Sequence, residues 1–129
     1  MALLWSQFTF DRISASDLYD ALALRSLVFV VEQKCVFLEP DGKKDFASHH
    51  LLGRESSGRL VAYTRLIPPG ACYDEPAISR VVTHPDVRKT GAGKELMKQS
   101  IDRTRALWPG PIRIGAQKYL ERFYGSFGF

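Results

Sequence analysis

The 129 residues are 45% hydrophobic, 12% aromatic and 25% charged, a composition that closes around one core and excludes both a disordered chain and two independent domains. Lys and Arg number 18 against 14 Asp and Glu, for a formal charge of +4. These cations are scattered singly or in pairs such as Lys43-Lys44 and Arg88-Lys89, which favours an anionic small molecule over nucleic acid as partner.

From the N-terminus, residues 5–10 alternate as a strand, and Ser14 with Asp17 forms an S-x-x-D start for a helix carrying Leu18, Leu22 and Phe29. The helix reaches at least Arg25. The β-branched and aromatic run 28–31 either extends it or bends it before Glu32-Gln33, and Pro40-Asp41-Gly42 marks a turn. Residues 50–55 and 59–67 flank Ser56-Ser57-Gly58 as a hairpin, which Pro68-Pro69-Gly70 closes. Residues 77–83 predict a further strand, ended by Pro85. A helix follows Gly91-Ala92-Gly93 with Met97, Ile101, Thr104, Leu107 and Trp108 on one face, and Pro109-Gly110-Pro111 stops it. Residues 112–116 form a short strand, and Leu120, Phe123, Tyr124 and Phe127 make the apolar stripe of a last helix. Hairpin strands followed by strand–helix alternation give a single α/β domain, residues 1–129, with a mixed sheet.

Cys35 and Cys72 lie far apart with no metal-type spacing, and no apolar run approaches the ~20 residues of a membrane span, so a reducing, cytoplasmic setting without metal or membrane contact is expected. His49 and His50 adjoin on a strand and point to opposite faces, so they cannot chelate one metal together.

The segment that carries chemistry is Arg88-Lys89-Thr90-Gly91-Ala92-Gly93-Lys94, between a strand and a helix. Glycines let the backbone N–H groups turn inward, the helix start adds partial positive charge, and three cations add full charges, so the segment suits a pyrophosphate. It is not a Walker A loop, because Arg88 stands where the first glycine belongs and Glu95 replaces the magnesium-binding hydroxyl. It is not a dinucleotide fingerprint either, because Leu96 takes the third glycine's place.

What remains, R-x-x-G-x-G, resembles the coenzyme A pyrophosphate motif of the GNAT acyl-CoA-dependent N-acetyltransferases. Leu18-Tyr19, Leu24-Arg25, Val28-Phe29-Val30-Val31-Glu32-Gln33, Val61-Ala62-Tyr63, Arg80-Val81, Gly115-Ala116-Gln117 and Phe123-Tyr124-x-x-Phe127-Gly128-Phe129 resemble its ElaA branch, from Leu18 to the last residue. The resemblance implies a GNAT fold, a mixed, mostly antiparallel central sheet with helices on both faces. It also implies acetyl-CoA as co-substrate and direct acetyl transfer to a primary amine in a ternary complex. Backbone groups of Val81, Val82 and Thr83 would pair with the pantetheine arm, with an N–H near Val82 polarising the thioester carbonyl. The amides of Arg88, Lys89, Thr90, Gly91, Ala92, Gly93 and Lys94 would hold the pyrophosphate. Tyr124 would protonate the departing thiolate, and Gln117 would bond the pantetheine or order a water.

On the acceptor side, Glu32 lies in an apolar run that would raise its pKa and suit it as base, with a surface ion pair as the equal alternative. Arg80 either anchors an acidic group of the substrate or pairs with Glu32 or Asp41, and His50 is a second candidate for contact with the substrate. The family pattern has Cys-Pro-Tyr where this chain has Cys35-Val36-Phe37, and glycine where it has Ser79. Relatives also continue into two further strands beyond Phe129, so the resemblance implies either a domain truncated there or a sheet completed otherwise; a true end at Phe129 would leave an open strand edge that favours a homodimer. The competing readings are a non-catalytic acyl-CoA-binding or regulatory module and a basic nucleic-acid-binding domain.

Overall fold

The computed structural model describes residues 3–32 and 44–114. Five strands form one sheet in the order β1-β2-β3-β4-β5: β1 (Leu4–Thr9), β2 (His49–Arg54), β3 (Leu60–Ile67), β4 (Ala77–Thr83) and β5 (Arg113–Ile114). The first four pair antiparallel and β5 joins β4 in parallel, the mixed, mostly antiparallel sheet expected. β3 sits centrally and is buried along its whole length, which explains its nearly unbroken apolar sequence. The β2–β3 turn closes with the Gly58 amide donating to the Glu55 carbonyl at 2.9 Å.

Helix α1 (Ala15–Arg25) begins where the S-x-x-D pattern predicts, with the Ser14 hydroxyl accepting from the Asp17 amide at 3.0 Å. Its Ala21 and Leu24 pack on Leu52, Tyr63 and Val82 of three adjacent strands. Helix α3 (Ala92–Leu107) covers the opposite face, since Leu51, next to Leu52 in β2, joins Leu96, while Met97 and Ile101 meet Leu66 and Ile78. A buried hydroxyl pair, Thr64 to Ser100 at 2.8 Å, ties α3 to the central strand. Leu107, expected on the buried stripe, is 38% exposed at the last residue of the helix, while the neighbouring Trp108 packs against the cluster of Leu66, Ile78, Met97 and Ile101.

Two elements differ from the expected pattern. After Arg25 the chain widens into a π-helix, Ser26–Glu32, so the open question of extension or bend resolves as a helix of different hydrogen-bond register. This register leaves Val28 3% exposed in the α1 cluster. A short helix α2 (Lys44–Ala47) precedes β2 where no sequence signal marks one, and its Phe46 stacks edge-on against Phe10 at 4.6 Å. The expected last helix and the end of the 112–116 strand lie outside the described residues. Among the described residues no helix is long and apolar enough to cross a membrane.

Candidate active site

β4 carries the site because its two edges differ. Toward β3 it pairs at both ends, but the register changes from Tyr63↔Val82 to Arg65↔Ser79, so Thr64 alone faces both Arg80 and Val81. This bulge puts Arg80 at φ 54°, the left-handed region that a non-glycine residue rarely adopts. Toward β5 the ladder holds only at Ala77 and Ile78. Among the described residues the β5 ladder ends at Ile78, so the following stretch, Val81 to Thr83, is where an extended amide-bearing chain could add as a strand on that side.

That stretch runs directly into the glycine-bearing loop. A turn of 3₁₀ helix, Pro85–Val87, is capped by His84, whose Nδ1 accepts from the Asp86 amide at 3.1 Å. The Arg59 guanidinium bridges Asp86 at 2.8 Å and so ties this turn to the β2–β3 hairpin. Lys89 (φ 65°) and Gly91 (φ 91°) are both left-handed, and the Thr90 hydroxyl donates to the Val87 carbonyl. Alternating handedness of this kind turns successive N–H groups toward one side. Gly91 caps α3 without any side-chain hydrogen bond, and the first amides of a helix have no partner within it. A Cβ built on Gly91 meets nothing within 4 Å. Beside it lies a shallow groove open to solvent, lined by Gly91, Lys94, Lys98 and Ile101 and also by the carboxylates of Glu95 and Asp102. Unclaimed amides, positive helix potential and open space together fit an anion such as a pyrophosphate. Arg88 folds back, its guanidinium donating to the Thr83 carbonyl at 3.2 Å, so it joins the end of β4 to the loop.

On the α1 face of the same bulge lies a charged cluster that sequence reading missed. Arg25, 0% exposed, donates to the Asp45 carboxylate at 2.9 Å, and Arg65, 1% exposed, donates to the same oxygen at 3.0 Å. Arg65 Nε continues to the Ser79 hydroxyl at 3.0 Å. Arginines set inside the apolar runs of α1 and β3 were the available signal, because a buried guanidinium requires a carboxylate partner. The Arg80 guanidinium lies on this side, 5.7 Å from the centre of the Phe29 ring in the π-helix.

His50, expected as a substrate contact, belongs instead to the core. It is 0% exposed, and its Nε2 bonds the Asp45 carbonyl at 3.0 Å while Nδ1 meets the Tyr63 hydroxyl at 2.5 Å. A carbonyl only accepts, so Nε2 carries the proton and Tyr63 donates to Nδ1; neither nitrogen is left for an acceptor. Burial lowers the His50 pKa and raises that of Tyr63. His49 points to the other face as expected, bonding Gln7 at 3.1 Å and stacking edge-on with Trp108. Among the described residues no cluster of His, Cys, Asp and Glu suits a metal ion. Glu32 closes the π-helix, with its side chain outside the described part of the structure. Asp41, Gln117 and Tyr124 lie outside the described residues.

The histidines make stability depend on pH. Burial depresses the pKa of both His49 and His50 in the folded state, so the unfolded chain binds more protons once the pH drops below its own value of about 6.5. Their contribution is whole above that pH and is lost progressively toward the depressed folded-state values. Thermal unfolding followed from about pH 7.5 down to about pH 5 is expected to show Tm falling below about 6.5, with a shallower fall for His50→Gln. An equal slope in that variant would contradict the buried neutral assignment.

The comparisons with known proteins agree with this geometry. The family described as Acetyltransferase (GNAT) domain matches residues 41–129, more than half of the chain. Protein ElaA of Escherichia coli is 35% identical, over 97% of this chain and 82% of its own, and the crystal structure of that protein superposes with a TM-score of 0.90 at 34% identity, covering 98% of this chain and 86% of the other. The crystal structure of an acyl-CoA N-acyltransferase from Pseudomonas aeruginosa gives a TM-score of 0.92 at 37% identity, covering 99% and 88%. A bulged β4 leading into a glycine-bearing helix start thus occurs in a chain that belongs to the GNAT acetyltransferase family, and within it to the ElaA type of acyltransferase.

Proposed function

We propose that the chain transfers an acetyl group from acetyl-CoA to a primary amine by direct attack in a ternary complex. The observation that carries this reading is that, among the described residues, β4 runs on past its short ladder with β5 directly into the amides at the start of α3, which suits one ligand that is amide-bearing at one end and doubly phosphorylated at the other. Backbone groups of Val81, Val82 and Thr83 pair with the pantetheine, and the amides of the segment Arg88 to Lys94 hold the pyrophosphate. Gln117 adds a hydrogen bond to the pantetheine or orders a water.

In this reading the amine nitrogen bonds to the thioester carbonyl carbon while the Val82 amide stabilises the developing oxyanion. The carbon–sulfur bond then breaks, and Tyr124 protonates the thiolate. A phenol near pKa 10 giving its proton to a thiolate of parent pKa near 8.5 is uphill by about 2 kcal/mol, a gap that a dry pocket closes by destabilising the thiolate. Glu32 takes the proton of the attacking amine, and Arg80 anchors an acidic group of the acceptor. This favours amines of low pKa, because at pH 7 an α-amine near 7.8 is neutral in roughly one molecule in seven and a lysine amine near 10.4 in about 0.04%.

The test is release of free thiol from acetyl-CoA across a panel of amines. Turnover with some amine is expected, together with a Tyr124→Phe variant that keeps coenzyme affinity and loses about 10²-fold or more in kcat. Coenzyme binding without turnover on any amine would favour the non-catalytic acyl-CoA-binding module. Full turnover in the Phe variant, with chemistry limiting, would remove Tyr124 from the mechanism.

A further inference from the structure

The buried cluster on the α1 face joins segments that the sequence keeps far apart. The Asp45 carboxylate is held by Arg25, the last residue of α1 before the π-helix, and by Arg65 of β3. Its main-chain carbonyl is held by His50 of β2, itself bonded to Tyr63. Arg65 passes the link to Ser79, its cross-strand partner, immediately before the left-handed Arg80. One carboxylate on a four-residue helix thus connects the base of the π-helix with the residue that opens the β4 bulge. Every charged member of this path is buried, and its guanidinium forks impose direction as well as charge.

We infer that Asp45 is a positioning residue for acyl transfer, acting through Arg65 and Ser79 to fix the β4 bulge against the π-helix. The inference rests on the acyl-transfer reading above. The bulge determines where the Val81 and Val82 amides point, and a rigid backbone is what keeps such donors aimed at a reacting carbonyl. Ser79 supplies a hydroxyl anchor immediately before the point where the backbone turns left-handed. The pyrophosphate loop lies beyond the other end of β4 and takes no part in the path. Loss of the path should therefore lower kcat and leave coenzyme affinity intact.

The experiment compares Asp45→Asn, which keeps the shape and removes the charge, with the milder Ser79→Ala and its conservative counterpart Ser79→Thr. Each variant is taken as the full chain and checked for cooperative unfolding. Relative to wild type, Asp45→Asn should lower kcat by about 10- to 100-fold and Ser79→Ala by about fivefold or more, with acetyl-CoA Kd within about twofold and with Ser79→Thr recovering most of the turnover. Without any ligand, amide hydrogen exchange should accelerate at residues 79–82 in Ser79→Ala while α3 stays as protected as in wild type, and in the globally less stable Asp45→Asn it should accelerate more at residues 79–82 than in α3. If wild type turns over no amine, the functional reading fails, and exchange at the bulge alone decides the positioning claim. Unaltered exchange at the bulge in folded Ser79→Ala overturns the inference, as does unaltered kcat in an active enzyme. A rise in exchange that is uniform over the molecule in Ser79→Ala also overturns it, since that marks a merely structural role.

Discussion

Asp45→Ala is expected to destabilise the fold by about 3–5 kcal/mol, because it leaves two guanidinium groups in the interior without the carboxylate they share. Arg25 and Arg65 are essentially without solvent contact, at 0% and 1% exposure, so water cannot replace the lost partner. Both donate to the same oxygen, at 2.9 and 3.0 Å, and the Arg25 fork also reaches the second oxygen at 3.4 Å. Surface pairs make a useful contrast. Removing Asp86 from Arg59, whose side chains are 60% and 45% exposed, should leave stability almost unchanged. Denaturant unfolding of the two variants measures the difference directly. A loss of under about 1 kcal/mol for Asp45→Ala would mean that the cluster is solvated in solution.

Gly91→Val is expected to separate binding from folding. At φ 91° a β-branched residue pays about 1–3 kcal/mol in backbone strain, but its side chain enters open space, so the chain still folds. The same side chain stands over the amides at the start of α3. Losing one or two charge-assisted bonds to phosphate, at about 1.5–3 kcal/mol each, corresponds to a fall of about 10- to 100-fold or more in coenzyme affinity. Calorimetric titration with coenzyme A tests this, with substitution of Gly93 as a second probe. Wild-type affinity in a folded Gly91→Val chain would place the phosphates elsewhere.

The parts of this architecture that were legible in the sequence are those fixed by local chemistry. The Ser14 cap, the glycine-turned hairpin, the limits Ala77–Thr83 of β4 and a helix start at the Gly91-Ala92-Gly93 run follow from caps, turns and alternation, which act within a few residues. The glycine-bearing turn into α3 was legible for the same reason. Hydrogen-bond register and burial of charge were not. Whether Val28 to Val31 continues as α or π helix depends on what the sheet offers Val28 and Phe29, and a left-handed Arg80 has no glycine or asparagine to announce it. The pairing of Asp45 with Arg25 and Arg65 spans 20 residues in each direction. It exists only because α2, itself without a sequence signal, lays its carboxylate against β3. His50 was misplaced for the same reason, since a histidine on a strand reads as available until its neighbours on both sides are known.

The central claim is that one acyl-CoA molecule lies along the β4 edge from the bulge to the first turn of α3. The most direct measurement is a backbone amide NMR titration of the chain with acetyl-CoA. Saturable shifts should concentrate at residues 80–83 and 88–94, while the amides of β1 and of the β2–β3 turn stay in place. Binding that leaves both of these segments undisturbed, or no binding at millimolar coenzyme, would contradict it.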